Sequence, residues 1–141
     1  MIIEAIKDFI QRNCPLVSGK KIKVNCLSEK AESYTIEPVP ASPIIRKYAD
    51  GGSMRQYLFV FASRNYYDED ERNNIKAAEF FEKFGEWIEQ VTDQNNLPEL
   101  SKGYTPIRLE VLSTGYLFSA DATKARYQIQ CRLIYTKERD F

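Results

Sequence analysis

The chain of 141 residues contains no histidine. That one absence removes the commonest general base, the commonest metal ligand and the Ser-His and Cys-His nucleophile pairs. A serine or cysteine paired with lysine, or a pair of carboxylates, stays open chemically, but no local spacing singles one out. Cysteine is also sparse. Cys14, Cys26 and Cys131 are odd in number and form no CxxC pair, so neither a disulfide framework nor a zinc site is indicated. All three are expected to be small apolar fillers. Net charge is missing too, with 20 Lys and Arg offsetting 20 Asp and Glu. The broad positive footprint of a protein that grips nucleic acid tightly is therefore absent, although a local basic patch is not excluded. No apolar run reaches membrane-spanning length, because Glu4, Lys7 and Asp8 interrupt the opening segment. The expectation is a cytoplasmic protein without a membrane anchor or cofactor.

What is present is an ordinary globular composition, 43% hydrophobic and 28% charged, of a length that suits one domain over 1–141. Ile2, Ile3, Ile6, Phe9 and Ile10 recur at helical spacing, with Glu4, Lys7, Asp8 and Gln11 on the other face. Pro15 and Gly19 end that helix. "KIKVNCL" then alternates Ile22, Val24 and Cys26 against Lys21, Lys23 and Asn25, as a half-buried strand does, and "SYTIEPV" reads as a second strand. The three prolines of "PVPASP" make a connector or sheet edge. "IIRKYA" and "MRQYLFVFAS" flank "DGGS", the signature of an antiparallel hairpin. Its second strand carries Tyr57, Phe59 and Phe61 on one face and Leu58, Val60 and Ala62 on the other. With both faces apolar, it is expected inside a sheet covered on both sides, by helices or by another subunit.

A second and longer helix is expected from "IKAAEFFEKFGEWIEQV", with Ile75, Ala78, Phe81, Phe84, Ile88 and Val91 inward and Phe80 and Trp87 at the margin. Asp68 or Asp70 is its expected cap. After a loop, "IRLEVLSTGYLFSA" and "RYQIQCRLIYTK" form a closing hairpin around "DATK". Tyr127, Ile129, Cys131, Leu133 and Tyr135 take one face of the last strand; Gln128, Gln130 and Arg132 take the other until Ile134 breaks the pattern. The predicted fold is thus α/β or α+β, a single domain with a mostly antiparallel or mixed sheet, a long hairpin and two main helices.

The residues capable of chemistry read as structural. The acidic run 68–71 lacks the layout of an EF-hand loop, and "DGGS" lacks the Gly-Lys-Ser/Thr of a phosphate loop. Aromatic residues interleave with Arg55, Arg126 and Arg132, a pattern shared by single-strand nucleic-acid binders and by ordinary packed sheets. The order "YTIEPVPASPIIRKYADGGSMRQYLFVFASRNYY", "FFEKFGEWIE", "NNLPEL", "LSTGYLF" and "YQIQCRLIY" resembles a family of small minor capsid or tail proteins of prophages and long-tailed phages of Gram-positive bacteria. The resemblance covers nearly the whole chain and lies in the order and spacing of segments. It implies a tail-terminator fold and assembly as a homo-oligomeric ring, a hexamer in such families, on the end of the tail tube. It also implies contacts with the tail tube protein and a head-connector protein, and a place in the host cytoplasm and then in the virion. Some relatives carry the label chloramphenicol resistance protein, but the usual acetyl transfer to that drug needs a catalytic histidine. Candidate contact residues are the hairpin tip, Asp50, Gly51, Gly52 and Ser53, with Arg55, and the polar face Gln128, Gln130 and Arg132. A small enzyme using lysine or carboxylates, and a nucleic-acid-binding accessory protein, are the other readings.

Overall fold

A computed structural model describes residues 1–67 and 71–139. Two strands form its spine: β4 (Ser53–Tyr66) and β7 (Lys124–Lys137), which pair antiparallel along all 14 residues of each. Both are rich in aromatic and β-branched residues, which suit a pleated surface packed by neighbours. The outer edge of β4 is shared by β2 (Ser33–Val39) and β3 (Ile44–Lys47), and that of β7 by β5 (Tyr104–Val111) and β6 (Tyr116–Ala120). β1 (Ile22–Val24) runs parallel to β2 and makes the sheet mixed. Helices α1 (Ile2–Asn13) and α2 (Glu71–Asp93) complete a single α+β domain.

Opposed residues in an antiparallel ladder share a face. Phe59 and Phe61 therefore join Cys131 and Ile129, and this face receives both helices. Phe61 stacks on Phe84 of α2 at 4.5 Å between ring centroids, and Phe9 of α1 meets Trp87 of α2 at 5.7 Å. The buried residues of α2 are Ala77, Phe81, Phe84, Ile88 and Val91. Ala77 takes the inward place expected of Ala78, and Ile75 and Ala78 are exposed. Alternating steps of four and three from Ala77 keep one face on the sheet, whereas Ala78 lies one residue out of phase. Phe80 and Trp87 pack at the margin, as expected. Asp68 and Asp70, the expected caps, lie outside the described residues.

Two local expectations change. β1 stops at Val24, followed by Asn25 at φ 52°, so Ile22 reaches the core while Val24 and Cys26 are exposed. Cys26 is therefore no filler, unlike buried Cys14 and Cys131. The segment 107–120 is two strands, because the chain leaves β7 at Leu112–Gly115 and Gly115 presses against Phe81 of α2. Among the described residues, helices cover one face of β4 and leave the other to the sheet's own side chains or to another subunit, as expected of a strand apolar on both sides. No helix among the described residues is long and apolar enough to cross a membrane.

Candidate functional site

Among the described residues no helix covers the other face of the sheet, yet Ala62 and Ile134 are fully buried and Val60 nearly so. Their cover comes from polar side chains of the sheet itself. Arg126 on β7 donates to both carboxylate oxygens of Glu37 on β2, at 2.9 and 3.2 Å. Since β4 lies between those strands, a guanidinium must bridge about 10 Å by lying across it. The small side chain of Ala62 leaves room for that crossing. Arg126 also donates to Gln128 at 3.1 Å, and Phe118 of β6 places its ring 5.0 Å from the guanidinium. Gln128 and Gln130 both donate to the Tyr116 hydroxyl, at 2.6 and 3.2 Å.

A second set adjoins the first. Arg132 donates to Glu110 of β5 at 2.5 Å and to Gln56 of β4 at 3.1 Å, and Arg108 donates to the other Glu110 oxygen. Burial pushes the Glu110 carboxyl up, but the hydrogen bonds and charges of Arg108 and Arg132 outweigh it and hold the group below the usual carboxylate range. Both lattices place planar groups on a pleated surface. The result is an ordered face on which three arginines meet two glutamates.

This face contains Gln128, Gln130 and Arg132, three of the residues singled out from sequence. Gln128 is buried, Arg132 half-buried and Gln130 exposed. Arg55 does not join them: it is opposite Tyr135 on the helix-bearing face and donates to Ser53 at 2.9 Å. The hairpin tip forms a separate region. Asp50 accepts a 2.8 Å bond from the Gly52 N–H, and Gly51 takes φ 92°. The exposure expected of the tip holds for Asp50 and Gly51 but not for Gly52 and Ser53, which are buried. A Cβ at Gly52 would lie tightly against the Asp50 carboxylate and the Lys137 carbonyl, at 3.1 and 3.2 Å. Glu37, Glu110, Tyr116 and Gln56 complete the lattice and were missed. They sit on four different strands, and only strand register brings them together.

No arrangement among the described residues suggests a nucleophile or a proton-transfer pair. Among the described residues the carboxylates clearly moved from their ordinary range, Glu110 and Asp121, are both lowered; neither is poised as a neutral-pH acid or base. Burial pushes the Cys131 thiol up, far from thiolate chemistry. No group of three or more acidic or cysteine side chains suitable for a metal occurs among the described residues. Comparison with known proteins finds no matching family model and no curated protein of significant similarity.

Proposed function

We propose that the chain is a phage or prophage virion structural protein, a tail terminator or head-tail joining component that works by stoichiometric assembly. In this reading it forms a homo-oligomeric ring on the last turn of the tail tube, stops further polymerisation and presents a surface to the head connector. The order of sequence segments supplies the phage assignment. The observation that carries an assembly role is the open sheet face, where Arg126, Glu37, Gln128, Tyr116, Gln130, Arg132 and Glu110 are already tied to one another. Side chains fixed before contact lose little rotamer entropy on binding, which is the advantage of preorganisation. Gln130 and Arg132 on that face, and Asp50, Gly51 and Arg55 at the far end of the sheet, are the proposed contact residues.

Electron microscopy of an induced lysate with this gene disrupted tests the proposal. Filled heads beside overlong, headless tail tubes support a terminator, and filled heads beside tails of normal length support a joining protein. Normal virions would refute both.

A further inference from the structure

The two lateral edges of the sheet differ in charge. On one side, β3 and its turn leave Ile45, Arg46, Lys47 and Tyr48 all exposed, with Ile45 at 46% and Tyr48 at 38%. Neither Arg46 nor Lys47 forms a side-chain hydrogen bond or ion pair with a described residue. On the other side, a cleft of about 610 Å³ lies between α2 and the 111–115 segment. Phe81, Val111 and Ile129 line its floor, Leu112 stands at its rim with 42% exposure, and Gly85 keeps it open by lacking a side chain. Glu82, Glu86 and Glu89 form its helical wall. These three occupy i, i+4 and i+7 and so project from one side of α2. None is ion-paired among the described residues.

We propose that the acidic cleft receives the Ile45–Tyr48 edge of a second copy of this chain. Arg46 and Lys47 meet the three glutamates, while Ile45 and Tyr48 cover Leu112 and the half-buried Val111. The choice of occupant follows from charge complementarity within one molecule: the cleft is acidic and apolar, and the opposite edge of the same sheet is basic and apolar. Nucleic acid would be repelled by this wall. Because donor and acceptor surfaces lie on opposite edges, β3 beyond β4 and the cleft beyond β7, the contact is head-to-tail. It can propagate and closes into a ring if the rotation permits. The inference rests on the assembly reading and supplies its subunit contact.

Charge-swap variants of the full chain test it by sedimentation velocity over a concentration series at low and high salt. R46E/K47E has two acidic surfaces, and E82K/E86K/E89K has two basic ones. Wild type should associate reversibly, and less so in high salt. Each variant alone should associate at least about tenfold more weakly, and an equimolar mixture should recover association, which also shows that both variants are folded. A wild type that stays monomeric throughout, or variants that associate as wild type does, would overturn the contact. Either result leaves the assembly role to the lysate experiment, which reads particle morphology independently of this interface.

Discussion

Glu110 sits between two arginines at one corner of the lattice, so its protonation has a predictable consequence. Its folded pKa is below its unfolded value, near 4.3. The stabilisation is therefore present above that value and lost as pH falls through the lower folded pKa. E110Q should cost about 1–2 kcal/mol at pH 7, since it leaves Arg108 and Arg132 facing each other. Urea unfolding should show the gap between wild type and variant closing below about pH 4. A gap of the same size at pH 3 and pH 7 would show that the carboxylate charge is not involved. The cysteines offer a second residue-scale check. Cys26 is exposed while Cys14 and Cys131 are buried, so a thiol reagent should modify one group quickly in the folded protein and all three after denaturation.

The helix α2 is anchored to the sheet at several points, two of which make opposite predictions for glycine. A Cβ at Gly115 would lie 2.3 Å from the Phe81 Cβ, whereas one at Gly85 would meet Val111 and Ile129 at 3.8 and 3.9 Å. Gly115→Ala should therefore destabilise the fold by about 1–3 kcal/mol through overpacking. Gly85→Ala should stabilise it by up to about 1 kcal/mol through helix propensity. Thermal melts of the two variants moving in the same direction would contradict this packing. The helices and the principal strands follow from periodicity because each buries one stripe or one face, and local spacing reports that directly. The break between β5 and β6 does not, since "LSTGYLF" keeps strand character through Ser113 and Gly115 and only the approach to Phe81 interrupts the pairing. The candidate face was half visible for a related reason. Gln128, Gln130 and Arg132 alternate along one strand, but their partners Glu37, Glu110 and Tyr116 lie on other strands, so their assembly depends on register rather than on spacing.

At the scale of the whole molecule, one sheet face makes the core with two helices and the other is closed by its own polar side chains. That arrangement explains how β4, apolar on both faces, is accommodated without a second helical layer. It also sets the sensitivity of the open face: Ala62→Leu would push into the path of Arg126 toward Glu37 and should cost about 1–3 kcal/mol, while barely disturbing the aromatic cluster on the opposite side. The proposed role is that of a particle component and not of a catalyst that turns over and leaves. Quantitative mass spectrometry of phage particles purified from an induced culture of the host that carries this gene tests that proposal. The chain is expected at a small, constant ratio to the tail tube subunit through successive gradient purifications. Its loss from particles that remain intact and infectious would refute the proposed role.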